Sequence, residues 1–506
     1  MSAVSSADAD GTLQAVLWGS VAVGMALVAY YQVLGIYFAY DDFFHLYHHA
    51  NQRSVEFVFQ PFGGHLCILP NLIWTTLVGL FGPNPVPCYQ LMLVSHLAAV
   101  GLLFGIVRRV TGSSPWAALA AGSWGASPIN VGTLGWYSVY GEVLALVLAL
   151  SGLLLLVRAV ARGGIVARSV LGWGSLFVGA AMSFGVGLGL AVVFPLLVWT
   201  LVPAAQRTRP ALWCAMLPPI VVTALYLTVL RTYGGPTGLE VATPQVVPFL
   251  TATLGMLAGL ITFGAAIVML GPASMIGPQF PRVVPFLAGG FWLLVVVGWW
   301  HAEGRVRRAM AGLLIATLCQ YVMVALGRAA LYRMVGMTGA QELRYHYAPA
   351  AMLAAIAAIA LHAIMTRVAA GARADVPAVL LAGAMFVVGR SPVAINLQAG
   401  GPVEVATFKS QINALARCRP PGEPLFIENR VFPPFAFFPE LFPGWAAAFT
   451  IYFPQNVVAG HPVYFIDPNP KVLDAARAIR DSRIATLLLS PAEALMAGAS
   501  EPLCSG

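Results

Sequence analysis

Two adjacent carboxylates stand where the first apolar run of the chain ends. Asp41 and Asp42 follow the run 13–38, and a charge at the edge of a bilayer is costly unless it is paired or functional. Shielding by lipid and aromatic side chains raises the pKa of a carboxyl group toward that of a useful general base, so both are candidate catalytic residues. A divalent cation near Asp41 and Asp42 is left open. The alternative is that the two acids only mark the membrane interface.

Four of the nine histidines fall in the same loop. His45, His48 and His49 have the i, i+3, i+4 spacing of one helical face. The sequence QPFGGH, which ends at His65, indicates a tight turn near the membrane surface. Spacing alone does not supply the ligand set of a zinc site, so no metal site is predicted. We expect His45 and His65 to contact substrate.

A late loop, 328–346, carries several arginines. Arg344, Tyr345 and His346 come directly before an apolar run that has Pro349 in its first turn. Arginine suits phosphate oxygens, and a helix N-terminus favours anions. We predict that Arg344, helped by Tyr345 or His346, binds a phosphate group at the outer membrane face. The alternative is that long arginine side chains snorkel to the interface.

Tyr137 and Glu142 lie in another loop between apolar runs. Glu142 opens the run that follows it, where a carboxylate suits the dipole of a helix N-terminus. The alternative is that Glu142 lines the same outer cavity as Asp41. Both Tyr137 and Glu142 are candidate substrate-binding residues.

The elements that position these residues must be membrane helices. Hydrophobic residues make up 59% of the 506-residue chain and charged residues 9%, whereas soluble domains carry about 25% charged residues. Lipid must therefore be the solvent for most of the chain. The net charge is +8, but the basic residues are spread over short loops, which indicates membrane topology and not nucleic-acid binding. The Ala-, Gly- and Val-rich composition with few Lys suggests a high-GC bacterium, and we expect the protein in its inner membrane.

Apolar runs of about 20 residues can cross a bilayer core. About eleven runs qualify, namely 13–38, 88–107, 115–133, 138–157, 168–184, 186–203, 211–231, 283–300, 310–327, 347–366 and 376–392. The first run is expected to be retained in the protein and not cleaved as a signal peptide. Two further runs, 65–81 and 248–272, are predicted to lie at the outer interface or to re-enter, with the alternative that both cross the membrane. The pair 168–203 has the alternative of being one long tilted helix.

The basic clusters predict the orientation of the helices. Excess Lys and Arg favour the cytoplasmic side, which should hold Arg108/Arg109, Arg158/Arg162/Arg168, Arg207/Arg209, Arg305/Arg307/Arg308 and Arg367/Arg373. The N-terminus is then cytoplasmic. The first outer loop, 39–87, and the tail lie on the opposite side.

The tail changes character after residue 392. We predict a transmembrane domain over 1–392 and a small extracytoplasmic α/β domain over 393–506. Runs 423–429, 462–467 and 483–490 indicate short strands, and 472–480 indicates a helix. Pairing of Cys418 with Cys504 is left open.

Four ordered motifs resemble those of the GT-C superfamily of membrane glycosyltransferases, in its protein O-mannosyltransferase and transmembrane-TPR mannosyltransferase branch. They cover roughly residues 13–366 and are Asp41-Asp42; the stretch 60–81 followed by Gly82-Pro83-Asn84-Pro85 and Ser95-His96-Leu97; Ser127-Pro128, Trp136-Tyr137 and Gly141-Glu142; and Arg344-Tyr345 with Tyr347-Ala348-Pro349. The run Met182-Ser183-Phe184-Gly185 departs from that branch, and TPR repeats are absent from the sequence.

The resemblance implies an all-α GT-C-like membrane domain and an inverting transferase of the cell envelope. It implies that the donor is a polyprenyl-phosphate-linked sugar, that Asp41 is the base with Asp42 second, and that Arg344 holds the donor phosphate. The acceptor glycan, lipid or protein is not implied. Two rival functions remain open, namely a transporter or lipid flippase, and a non-catalytic membrane assembly protein. The polar residues gather on one membrane face, whereas transporters place theirs at the midplane.

Overall fold

The protein is a helical bundle with a short sheet near its C-terminus. The computed structural model describes residues 6–36, 38, 42, 45, 48–49, 52–82, 84–233, 246–270, 280–369, 373, 375–381, 383–384, 420, 425–428, 463–466 and 484–485. In chain order the helices are α1 Ser6–Tyr30, α2 Ser54–Phe59, α3 Ile68–Phe81, α4 Pro85–Thr111, α5 Ser114–Gly125, α6 Val131–Leu134, α7 Tyr140–Arg162, α8 Ala167–Ala181, α9 Gly185–Val192, α10 Phe194–Leu201, α11 Arg209–Ala215, α12 Leu217–Tyr233, α13 Val246–Leu270, α14 Phe280–His301, α15 Gly304–Val335 and α16 Tyr347–Val368.

Single 3₁₀ turns connect several of these helices. They are Tyr31–Gly35, Pro128–Asn130, Tyr137–Val139, Ala204–Gln206, Gly336–Gln341 and Leu343–His346. The last two lie between α15 and α16 and carry part of the candidate site.

Within the described residues, eight helical stretches are long and apolar enough to cross a membrane. They correspond to α1, α4, α7, α11 with α12, α13, α14, α15 and α16. Large apolar side chains face outward, such as Phe286, Trp300 and Trp213, which are 81%, 79% and 74% exposed. A water-soluble surface does not expose so many side chains of this kind, whereas lipid solvates them. The chain is a multi-pass membrane protein.

Three predicted spans are shorter in the structure than the apolar runs suggested. The run 115–133 is broken after Gly125, because Ser127 caps a new turn at Pro128. The run 186–203 is divided into α9 and α10, with a proline in the first turn of α10. The run 168–184 ends with α8 after 15 residues. The alternative of one long helix over 168–203 is wrong, since α8 and α9 pack side by side.

The two ambiguous runs differ from each other. Helix α3 has 14 residues, which spans about 21 Å at 1.5 Å per residue and is too short to cross the core. This length agrees with an interfacial position. Helix α13 has 25 residues and is long enough to cross. The prediction that run 248–272 stays at the interface therefore has no support from the length of the helix. The predicted span 376–392 lies mostly outside the described residues.

Several basic clusters gather at one end of the bundle. Arg305 donates from Nη2 to the carbonyl oxygen of Arg109 at 2.9 Å. Arg109 also lies within electrostatic reach of Arg158 and Arg162. These contacts agree with the predicted grouping for the clusters at Arg109, Arg158 and Arg305, and the cytoplasmic location of all five clusters stays a prediction.

Helix α16 packs at the centre of the bundle and is held there by buried polar groups. His96 on α4 contacts the carbonyl oxygen of Gly125 through Nε2 and the hydroxyl of Tyr347 through Nδ1, both at 2.9 Å. Because the carbonyl can only accept, Nε2 carries the proton and Nδ1 accepts from Tyr347. Trp124 on α5 donates to the carbonyl oxygen of Tyr347 at 3.0 Å. These bonds fix the first turn of α16, directly after the residues predicted to bind phosphate.

Three strands form a parallel sheet near the C-terminus. They are β1 Leu425–Glu428, β2 Val463–Ile466 and β3 Ile484–Ala485, in the order β2-β1-β3. Each lies within a predicted strand, and the parallel pairing suits the predicted α/β domain. The domain boundary stays a prediction. The predicted helix 472–480 and the pair Cys418 and Cys504 lie outside the described residues.

Candidate functional site

Asp42 is a buried carboxylate that anchors the first loop. It is 0% exposed and accepts hydrogen bonds from the backbone N and the Oγ of Ser138, at 2.6 and 2.5 Å. Ser138 lies in the turn before α7, so the bond joins the first loop to a second one. Its partner in the acidic pair, Asp41, lies outside the described residues. With two donors already bound, the Asp42 carboxylate is suited to holding this loop in place.

His45 and Tyr137 belong to one aromatic cluster around Trp74. The ring centroid of His45 lies 4.4 Å from that of Phe62 and 5.7 Å from that of Trp74. Tyr137 lies 5.2 Å from Trp74 and stacks on Tyr140 at 5.3 Å. Both predicted substrate-binding residues are therefore packed against aromatic neighbours. The cluster forms a rigid wall next to Asp42.

His65 closes the tight turn predicted for the first loop. Gly63 and Gly64 have backbone φ angles of 56° and 82°, which residues other than glycine rarely adopt. The backbones of Phe62 and His65 pair across the turn. The imidazole stacks on Phe184 at 4.1 Å between ring centroids. Burial, together with two nearby guanidinium groups, lowers the pKa of His65 to about 3, so the ring is neutral at physiological pH.

Glu142 occupies the first turn of α7, as predicted, but it points into the protein. Its side chain is 3% exposed and accepts a hydrogen bond from Thr133 Oγ1 at 3.1 Å. The guanidinium groups of Arg344 and Arg328 lie within electrostatic reach of this carboxylate. Neither guanidinium nitrogen comes within 4.0 Å of a Glu142 oxygen, the distance that defines an ion pair. Among the described residues, only Arg53 and Glu56 form such a pair. Glu142 thus faces the same region as Arg344.

Arg344 lies between aromatic rings at the entrance to α16. Its Cζ is 5.0 Å from the ring centroid of Trp136 and 5.3 Å from that of Tyr345. Its Nε atom is buried and has no hydrogen-bond partner among the described residues. A buried N–H donor without a partner is costly, and flat aromatic faces leave the donors of the fork free to bind an anion.

Arg328 was not among the residues singled out as binding substrate, yet it lies at the same site. Its Cζ is 6.0 Å from the ring centroid of Tyr345, and the Cζ of Arg344 lies near the same ring. An added Cβ at Gly63 would come 4.0 Å from Arg328 Nη2. The sequence signal was an arginine next to a long apolar run, on the side that the charge rule disfavours.

His346 faces the bundle interior and has two protein partners. Nε2 donates to the carbonyl oxygen of Ala340 at 2.8 Å, and Nδ1 accepts from the Tyr321 hydroxyl at 2.9 Å. The ring is 0% exposed. This arrangement holds the backbone of the 3₁₀ turn that presents Arg344.

The structure brings four of the predicted residues together with Arg328: His65, Glu142, Arg344 and Tyr345. A second group, Asp42, His45 and Tyr137, lies beside them. The two groups meet at the turn 136–138, because Trp136 contacts Arg344 and Ser138 binds Asp42. In the described part of the chain, no group of three His, Cys, Asp or Glu side chains could hold a metal ion. The arrangement can bind an anionic group beside a buried carboxylate.

No protein-family model and no curated protein sequence matches the chain. Among solved structures, similar ones include ArnT from Cupriavidus metallidurans bound to undecaprenyl phosphate, with a TM-score of 0.46 and 13% identity over 93% of this chain and 89% of that one. Another is the archaeal oligosaccharyltransferase AglB from Archaeoglobus fulgidus in complex with an inhibitory peptide and a dolichol-phosphate, with a TM-score of 0.39 and 12% identity over 85% of this chain and 63% of that one.

These are likenesses between structures, at sequence identities of 12–13%. At this level of identity, the roles of individual residues have to be argued from the site itself.

Proposed function

We propose that this protein is a membrane glycosyltransferase that moves a sugar from a polyprenyl-phosphate carrier to an acceptor on the non-cytoplasmic face. The observation that carries the proposal is the Arg344 guanidinium, which has a buried Nε without a partner and no carboxylate within ion-pair distance among the described residues. Such a group suits a phosphate brought by a ligand. The site also lies at the bundle end opposite the cytoplasmic arginine clusters of the predicted topology.

The reaction that fits is a single displacement at the anomeric carbon. An acceptor hydroxyl oxygen forms the new bond to that carbon, and the bond from the carbon to the phosphate oxygen breaks. The hydroxyl proton goes to a carboxylate, and the lipid phosphate leaves beside Arg344. Displacement from the opposite face inverts the configuration. No nucleotide takes part.

Asp41 is the proposed base, because the neighbouring carboxylate of Asp42 is occupied by Ser138. Glu142, His65 and Tyr345 are proposed to contact the donor, since they lie with Arg344. His45, Tyr137 and His346 are proposed to hold those contacts in place. In this proposal the protein lies in a bacterial inner membrane, with its N-terminus in the cytoplasm and its tail outside.

The test is an Asp41→Asn variant in proteoliposomes supplied with polyprenyl phosphates that carry radiolabelled hexose, pentose or hexosamine. Loss of the base should lower sugar transfer or release by about 10²-fold or more, while the amount of folded protein is unchanged. Glu56→Gln is the matched control, because Glu56 is an exposed acid of the same loop that pairs only with Arg53.

Two results would contradict this proposal. Equal rates for Asp41→Asn and wild type would remove Asp41 as the base. Uptake of a labelled solute into vesicles, without any transfer by the wild-type protein, would favour the transporter.

A further inference from the structure

Arg328 interrupts the longest helix of the bundle. Helix α15 has 32 residues, and Arg328 is the position inside it with non-helical backbone angles, φ −123° and ψ 15°. A kink in a membrane helix has an identifiable cause or use, because it gives up regular backbone hydrogen bonds. From this kink the Arg328 side chain extends to Gly63 and to the ring of Tyr345.

Two guanidinium groups converge on one aromatic ring. The Cζ atoms of Arg328 and Arg344 lie 6.0 and 5.3 Å from the ring centroid of Tyr345. Two like charges in a partly buried site repel each other, and an anion that lies between or beside them offsets this repulsion. In the described residues no carboxylate oxygen is within 4.0 Å of either group, and the acid within electrostatic reach of both is Glu142. Glu342 also lies within electrostatic reach of Arg344, so among the described residues the two guanidinium groups have acids nearby but none at ion-pair distance.

We propose that Arg328 is a second phosphate-binding residue, which stabilises the charge that forms on the leaving group. This inference rests on the proposed function. The donor is a phosphodiester with one negative charge. When the bond from the anomeric carbon to the phosphate oxygen breaks, its electron pair stays on that oxygen, and the product is a lipid phosphate monoester with two negative charges. One guanidinium balances the charge of the donor, and the second balances the charge that appears during the reaction.

This division of labour has a kinetic consequence. An interaction that is stronger in the transition state than with bound substrate raises kcat, whereas uniform binding lowers KM alone. Arg344, whose Nε is buried between two rings, is suited to hold the phosphate of the bound donor. Both arginine side chains are half-buried, and Arg328, which extends from the kink in α15, is assigned to the added charge.

The experiment compares Arg328→Gln, Arg328→Lys and Arg344→Gln, with Arg333→Gln as the control. Arg333 lies on the same helix and is exposed. Arg328→Gln should lower kcat by about 10²-fold with KM changed less than about threefold. Arg328→Lys should recover part of the loss, because it restores the charge without the planar fork. Arg344→Gln should raise KM as well, and Arg333→Gln should behave as wild type.

A binding measurement separates this inference from the proposed reaction. Wild-type protein in detergent should bind polyprenyl phosphate more tightly than uncharged polyprenol, and Arg328→Gln should lose about tenfold or more of that preference. Wild-type binding without any sugar transfer would defeat the glycosyltransferase proposal and leave the phosphate site standing. Arg328→Gln that binds polyprenyl phosphate and turns over like Arg333→Gln would overturn the role of Arg328. Thermal unfolding of each variant identifies misfolded protein.

Discussion

The bond between Asp42 and Ser138 joins two loops that are far apart in the sequence. A buried carboxylate that accepts two hydrogen bonds is stable only while both donors stay in place, because an unpaired buried charge is costly. The backbone N and the Oγ of Ser138 both donate to the same carboxylate oxygen of Asp42. Removing the hydroxyl therefore leaves a buried acid with less than its full set of partners.

We predict that Ser138→Ala lowers the free energy of unfolding by about 2 kcal/mol, the usual cost of losing a hydrogen bond to a charged group. Unfolding in detergent measures this change. Ser175→Ala is the control, since the Ser175 hydroxyl is exposed and bonds only within its own helix. In an Asp42→Asn background the same substitution should cost less, because the two residues act as a pair. Equal losses in both backgrounds would refute the coupling.

At the scale of single residues, the sequence predicted a chemistry but not the contacts between the residues. The position of Arg344 before an apolar run was enough to predict a phosphate ligand, and its unpartnered Nε suits that role. Adjacency could not distinguish Asp41 from Asp42, since the donor to Asp42 lies 96 residues away. The sequence could not predict that Arg328 lies at the site, because only the folded chain brings it to Tyr345.

Helices α8 and α9 form a hairpin whose packing depends on one glycine. A Cβ added at Gly187 would overlap the carbonyl oxygen of Ala180, which is backbone and cannot move aside cheaply. Phe184, in the link between the two helices, is the residue on which His65 stacks. The close approach of the two backbones therefore sets the position of one wall of the site.

We predict that Gly187→Ala destabilises the protein by at least about 1–3 kcal/mol through overpacking. Gly172→Ala should be neutral or stabilising by up to about 1 kcal/mol, because Gly172 is a helical glycine with open space around it. Melting temperatures in one detergent compare the two variants. Equal melting temperatures for Gly187→Ala and Gly172→Ala would show that α8 and α9 can move apart without a loss of stability.

At the scale of helices, apolar runs predicted where helices exist but not where they break. The runs 88–107 and 347–366 became the long helices α4 and α16. The run 115–133 looked equally continuous, yet Asn130 donates to the carbonyl oxygen of Trp124 at 2.7 Å and supports a break there. Hydropathy counts apolar residues and does not register a polar side chain that serves the backbone inside a bundle.

The whole molecule has two chemically different ends. Arg305 and Arg109 meet at one end, and the candidate site lies at the other. Excess basic residues mark the cytoplasmic side of membrane proteins, so this asymmetry predicts which end faces the cytoplasm. Charge distribution along the sequence was sufficient to predict the grouping, because it depends on which side each loop occupies and not on detailed packing.

We predict that a cysteine at Glu342 reacts with a membrane-impermeant maleimide in intact spheroplasts, whereas a cysteine at Glu303 reacts only after lysis. Both positions are exposed and lie at opposite ends of α15. The six natural cysteines are first replaced, which leaves each new thiol as the sole target. The reverse labelling pattern would place the candidate site in the cytoplasm and exclude an outer-face acceptor.

The turn 136–138 contacts two other segments of the chain. Ser138 binds Asp42 of the first loop, and Trp136 contacts Arg344. Exchange of parts between related proteins has to respect this shared attachment. A chimaera that imports residues 37–84 alone would bring a foreign loop to a native turn and lose the fit on both sides. One that also imports 133–142 and 328–346 would transplant the three segments as a unit, so substrate preference should move with all three and not with any one of them.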